Sequence, residues 1–288
     1  MSFVSRSIEF SIALAEGKTG EHEGEAVTLA GYRSKVSIDQ FGGASMGHAM
    51  ITIYGLPLDL MKRLTTIGTI AKQIRAKNRI EVRAGAEGSK LPLVFTGVIA
   101  TAWVDFQGMP DVSLNIDAYS AMAAAMESVT ATSFNGAVSI SDIMSVLAKK
   151  AGLGFVNHGV TGSLSSPAFR GSTQEQILAC AEAAQINYSI DLVTLNIWPE
   201  GGHLKSIPVV VSPESGLVGY PSFSSQFVIV DCEFIQTLTV GSRLTIKDSQ
   251  LGKMVDGTWV CAVVTHDIAC KMPGGPWFTH AELAYRAA

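Results

Sequence analysis

Between Ser7 and Leu14 apolar and polar side chains alternate. Ile8, Phe10, Ile12 and Leu14 fall on one face, Glu9 and Ser11 on the other. A period of two is that of a β-strand, whose successive side chains point to opposite faces. It recurs at Val36 and Ile38, at Ile51 and Ile53, and at Ile80 and Val82. A longer apolar run, "LPLVFTGVIATAWVDF", leads through the turn "QGMPD" to "VSLNIDAY", which is predicted to return antiparallel. Gly97 inside the long run predicts a bulge or bend, a device that curls a sheet toward closure. One short helix is predicted here, with Pro57 in its first turn and Leu60, Leu64 and Ile67 on one face.

The spacing then lengthens. In "SISDIMSVLAKKAG", Ser139 and Asp142 have capping-box spacing, Ile143 and Leu147 lie one turn apart, and Gly152 suits a stop. In "STQEQILACAEAAQI", Thr173 and Gln176 have the same spacing, and Ile177, Ala181 and Ala184 form the expected buried stripe. "NYSIDLVTLNIWP" reads as one or two strands. Five further strands follow: "IPVVVS", "FVIVDCEF", "RLTIKDS", "GTWVCAVVTHDIAC" and "WFTHAELAY". Asp256-Gly257 reads as a tight hairpin between two of them. The predicted class is mainly β with an α+β insert. Two tube-like β-barrels, residues 1–120 and 201–288, flank an α/β module at 121–200.

At 288 residues with 47% hydrophobic side chains, the chain is long enough to bury a sizeable core. Only 16% of residues are charged, against roughly 25% in an ordinary soluble domain. That depletion is characteristic of surfaces covered by other protein. The net charge of −4 provides no global attraction for nucleic acid. The four cysteines, Cys180, Cys232, Cys261 and Cys270, show no C-x-x-C spacing and are too few for a disulfide scaffold, so a reducing compartment is expected. The N-terminus reads as a strand rather than a secretory leader, and no apolar run has the length of a membrane-spanning helix.

Several residues invite a chemical reading. "CAVVTHDIACKMPGGPWFTH" gathers Cys261, His266, Asp267, Cys270 and His280. His266 and Cys270 share a strand face but stand about 13 Å apart at roughly 3.3 Å per residue. One zinc ion, with bonds of about 2.0–2.3 Å, does not span that. The stretch reads instead as a hairpin arm turned by "PGGP", its cysteines acting as small apolar residues. "GASMG" places Ser45 in a G-x-S-x-G pattern, yet the strand-to-helix context of a nucleophile elbow is missing. "GLGFVNHG" has Asn157 where a dinucleotide fingerprint has its third glycine. Glu9, Asp105, Asp117 and Asp231 are scattered carboxylates. Between Asp59 and Glu81 every charged residue is basic: Lys62, Arg63, Lys72, Arg75, Lys77 and Arg79. Without interleaved aromatics this segment suits a protein neighbour or plain solvated surface better than single-stranded nucleic acid.

A set of motifs occurs in fixed order: Gly216 to Pro221, the strand "FVIVDCEF", Leu238 to Gly241, Asp256 to Val260, then His266, Pro273 to Gly275 and Trp277. Together they resemble the C-terminal half of the baseplate hub proteins of contractile-tailed bacteriophages, a group that includes the late control protein D family. "ITIYGLPLDLMKRLTT" and "LPLVFTGVIATAW" resemble the first barrel of such hubs. The resemblance implies two barrels around an α/β portion. It also implies a homotrimer whose six barrels form a ring joining the tail tube to the central spike, with other baseplate proteins around it and DNA passing through the lumen. It implies a virion component made in the host cytoplasm, with no catalytic residue, cofactor, metal or membrane insertion. The basic segment, Trp259, His266 and Trp277 become expected interface residues, with His266 read as a structural residue of the hairpin. A weaker version of the same reading is the hub of a related injection machine, such as a tailocin-like or type VI particle. The competing class is a tail-associated hydrolase using Ser45, or a metal at His266 and His280.

Overall fold

The computed structural model describes residues 5–14, 26–65, 78–120 and 129–286. The chain forms two compact units. The first comprises Met1–Asp39, Gly47–Ser120 and His266–Phe278; the second comprises Gln40–Met46, Ala121–Thr265 and Thr279–Ala288.

Alternation builds the first unit. Its strands are β1 (Arg6–Ala13), β2 (Ala26–Ala30), β3 (Ser34–Phe41, the last two residues of which fall in the second unit), β4 (His48–Tyr54), β5 (Arg79–Ala86), β6 (Leu93–Asp105) and β7 (Ser113–Tyr119). Their hydrogen-bonded order is β3-β4-β7-β6-β5-β1-β2. Ile8, Phe10, Ile12, Val36, Ile38, Ile51, Ile53, Ile80 and Val82 are all essentially solvent-free. Each such side chain contributes about 1.5–3 kcal/mol through removal from water. Helix α1 (Leu58–Leu64) begins after Pro57 and anchors through Met61 and Leu64; Ile67 lies outside the described residues.

Gly97 sits opposite Ile80 in regular pairing. The bulge on the β7 side lies two residues on, between Ile99 and Thr101. Gly97 answers a different need. A Cβ there would stand 2.7 Å from both the Tyr119 carbonyl oxygen and the Phe95 ring. The glycine permits close approach, and the extra residue at the bulge bends the strand.

In the second unit, short strands β8 (Thr132–Ser133) and β9 (Ala137–Ser139) precede helix α2 (Ile140–Lys150). Then come β10 (Gly154–Asn157), β11 (Ser163–Ser165), β12 (Ala168–Phe169) and helix α3 (Thr173–Ala184), followed by β13 (Ile186–Asp191) and β14 (Thr194–Pro199). Strands β10-β14-β13 form a sheet in which β10 and β14 are parallel. The helices pack by their apolar stripes, Ile143 and Leu147 from α2 and Ile177, Cys180 and Ala181 from α3, around Leu195 and Ile197. Ser139 caps α2, its Oγ accepting from the Asp142 N–H at 3.0 Å. At α3 the box falls one residue earlier than predicted. Ser172 Oγ accepts from the Glu175 N–H, and Glu175 Oε2 accepts from the Ser172 N–H at 2.7 Å. A carboxylate is the better acceptor for that donor. Gln176 is instead fully buried, donating to the Gly171 carbonyl and accepting from the Thr132 hydroxyl.

The remaining strands are β15 (Val209–Val211), β16 (Leu217–Phe223), β17 (Val228–Glu233), β18 (Arg243–Ile246), β19 (Gly257–Cys270) and β20 (Trp277–Arg286). Pairing runs β16-β17-β20-β19, with β18 also on β19 and β15 parallel to β18. Two expectations need correction. Asp256-Gly257 is not a tight hairpin: Ile246 pairs with Gly257, so Lys247–Asp256 makes a ten-residue connection with a 3-10 turn at Gly252–Met254. And β16 is a sixth strand, with Pro221 tolerated because β16 ends the strand order. The final residues of β19, His266–Cys270, belong to the first unit, where β19 is the neighbour of β3. The fold is mainly β, with a helix-bearing insert. Two closed tubes are not confirmed by this strand order.

Candidate functional site

Lys62 is exposed and Arg63 half-buried in the last turn of α1, where the helix C-terminus favours cations. Arg79 is exposed at the start of β5. Lys72, Arg75 and Lys77 lie outside the described residues. The structure therefore places the two ends of the basic segment on the first unit's surface.

The hairpin residues face inward to different degrees. His266 is fully buried on one strand face with Val264, Ile268 and Cys270. Trp259 is half-buried, and its Nε1–H donates to the Val255 carbonyl at 2.7 Å. Trp277 carries the Arg6 guanidinium 5.4 Å from its ring centroid, and the same guanidinium donates to the Gly275 carbonyl at 3.4 Å. His280 lies on the half-exposed face of β20, with Nδ1 2.7 Å from Asp231 Oδ1. Its buried neighbour Thr279 accepts from the Ile235 N–H. Among the described residues, no group of three His, Cys, Asp or Glu side chains is placed to hold a metal.

Nor, among the described residues, does Ser45 or a cysteine stand as a prepared nucleophile. Ser45 is exposed in a loop between β3 and β4, with no helix after it. All four cysteines are buried and free. Burial pushes the thiols of Cys180, Cys232 and Cys261 up to about 12, so they stay protonated at neutral pH. Asp117 accepts from Thr101 beside His48, which stacks on Tyr119 at 4.5 Å.

The surface features that sequence reasoning missed are apolar and concave. In the first unit, a cleft of about 490 Å³ is lined by Leu58, Met61 and Phe106. Its edge holds the Arg33–Asp111 ion pair at 3.0 Å, with the Arg33 guanidinium also 4.1 Å from the Tyr54 ring centroid. Phe106 and Met109 beside it are 52% and 73% exposed; the only hint was an apolar residue at the end of the long run, Phe106, and another in the turn after it, Met109. In the second unit a cleft of about 610 Å³ lies among α3, β13, β14 and β19. Tyr188 and Trp198 form part of its lining. Edge strand β16 exposes Tyr220 at 71% and Phe223 at 51%. Patches like these mark docking surfaces in soluble chains, and an edge strand left bare is a template for further pairing.

Comparison with known proteins supplies the context. A family model described as "Baseplate hub gp41" matches residues 18–281. No curated protein sequence matches the chain. Among solved structures, a tail protein from Neisseria meningitidis MC58 is similar at TM-score 0.64 and 10% identity, over 98% of this chain and 97% of that one. A 43 kDa tail protein of prophage MuSo2 from Shewanella oneidensis is similar at TM-score 0.60 and 11% identity, over 96% and 97%. The Escherichia coli c3393 protein is similar at TM-score 0.61 and 8% identity, over 89% and 76%; it is described as a type VI secretion component that resembles the T4 tail proteins gp27 and gp5. At such identities the likeness is one of fold.

Proposed function

Because the chain belongs to the baseplate hub gp41 family, we propose that it is the hub ring of a contractile phage tail, a homotrimer with pseudo-six-fold symmetry joining tail tube to central spike. Its role in a tail baseplate is structural, and its place is the virion tail. The finer reading adds three copies, two barrels per copy, partners in tube, spike and surrounding baseplate, and a lumen that DNA crosses at ejection. In it, residues 1–120 and 201–288 are the barrel domains and 121–200 the α/β domain. The family match over residues 18–281 carries this reading. Low charge and exposed apolar patches support it, since oligomeric interfaces are poor in charge.

The chain is read as having no catalytic step. The hydrolase alternative lacks a geometric basis: Ser45 has no elbow, His266 is buried, and His280 is engaged by Asp231. The basic segment is assigned to neighbour contacts. Trp259, His266 and Trp277 are assigned to shaping the β19–β20 arm that packs within the ring.

The test is the mass of the purified chain in solution, together with electron microscopy of assembled tails. A particle of three 30.5 kDa chains is expected, seen at the junction of tube and spike. A stable monomer with no affinity for tube or spike protein would overturn the reading.

A further inference from the structure

The second unit's 610 Å³ cleft carries a charge that its own lining leaves unbalanced. Leu178, Val260 and Ala262 make apolar walls, while Glu182 and Glu200 stand exposed at the rim. Among the described residues, no lysine, arginine or histidine lines it. Neither carboxylate has an ion-pair partner among the described residues. The negative field reaches inward: Tyr188 has its phenol pushed up to about 12, first by burial and then by the charge of Glu182.

An acidic rim over apolar walls suits cations carried on aliphatic stems, which lay their methylenes on apolar surface and keep the charge at the edge. The chain contains one segment of that chemistry. In "TIGTIAKQIRAK", residues 66–77, Lys72, Arg75 and Lys77 alternate with Ile70, Ile74 and Ala76, and no acidic residue intervenes.

We propose that the cleft of one copy receives residues 66–77 of a second copy, with Glu182 and Glu200 pairing with Lys72, Arg75 and Lys77. The proposal rests on the self-associating hub reading and deepens it by naming both halves of a contact between copies. Because the two halves differ, the contact is heterologous, the type that closes a ring when its rotation allows.

Charge reversal in the full-length chain tests it, read by analytical ultracentrifugation at about 0.15 M salt, where exposed pairs are partly screened. Glu182→Lys with Glu200→Lys alters exposed side chains, so an unchanged unfolding curve is expected. The dissociation constant of the assembly is expected to rise at least about tenfold. Lys72→Glu with Arg75→Glu and Lys77→Glu is expected to do the same, and a chain carrying all five changes to regain most of the loss. A bismaleimide should bridge Glu200→Cys of an isotope-labelled copy to Lys72→Cys of an unlabelled one, since the native thiols are buried. An assembly indifferent to either reversal, reversals that do not compensate, or a bridge formed within one chain would overturn this contact while leaving the hub reading in place. A wild-type chain that never associates overturns both.

Discussion

Asp191 ends β13, opposite Thr194 across the two-residue turn Leu192–Val193. Burial raises its pKa above the ordinary 3.8. The folded chain thus binds this proton more readily than the unfolded one. Its contribution to stability is fullest below the unfolded pKa and is lost as pH rises through the folded value. At neutral pH the partly buried charge is a penalty. Asp191→Asn is expected to raise the melting temperature near pH 7 by a few degrees at most, about what 1 kcal/mol gives in a chain of this size. The advantage should shrink as the pH falls through the raised pKa of the folded carboxyl, where the wild-type side chain takes up its proton. Scanning calorimetry across that range checks it, and an equal shift at every pH would contradict it. Single residues were unevenly legible. The alternating core of β1 could be read directly from Ile8, Phe10 and Ile12, because burial follows from side-chain direction alone. The Arg6–Trp277 and His280–Asp231 contacts could not, because they depend on which distant strands become neighbours.

At the scale of elements, local chemistry was read well and pairing less so. Ser139 caps α2 as its spacing predicts, whereas the α3 box moved to Ser172 and Glu175. Two hydroxyls in succession, Ser172 and Thr173, each with a polar side chain three residues on, leave the choice to acceptor strength. Ser172→Ala is expected to cost about 1 kcal/mol, the usual loss on removing an N-cap hydroxyl. A denaturant melt followed by helical circular dichroism reads that loss; an unchanged midpoint would mean that the packing of Ile177 and Cys180 sets the helix start by itself. Strand β16 escaped notice because Gly219 and Pro221 read as turn chemistry, which an edge position tolerates. The Asp256-Gly257 signal belonged to the end of a ten-residue loop, where Asp256 accepts from the Ser249 N–H. A dipeptide reports a local turn, not how far the strands on either side must travel to pair.

For the whole molecule, periodicity was enough to read a mainly β class with helices in the middle, since patterning largely decides class. It did not reveal that the compact units interleave in sequence, with Gln40–Met46 and His266–Phe278 each joining a unit remote in the chain. Such long-range association leaves no periodic trace. The buried thiols offer a way to observe it, because Cys270 belongs to the first unit and Cys180, Cys232 and Cys261 to the second. No thiol of the native chain is expected to react promptly with an aromatic disulfide reagent. In rising denaturant, Cys270 is expected to label at its own rate, distinct from that shared by the other three. Mass mapping of the labelled peptides separates the rates, and prompt labelling of any thiol without denaturant would contradict the assignment. The same interleaving bears on biosynthesis. Strand β3 spans Ser34–Phe41, but its neighbour β19 spans Gly257–Cys270 and is synthesised long after it. While the ribosome is still translating, β3 waits with one edge bare. The first unit is then completed only once Gly257–Cys270 has emerged, and a chain stalled before that point would present the edge to chaperones.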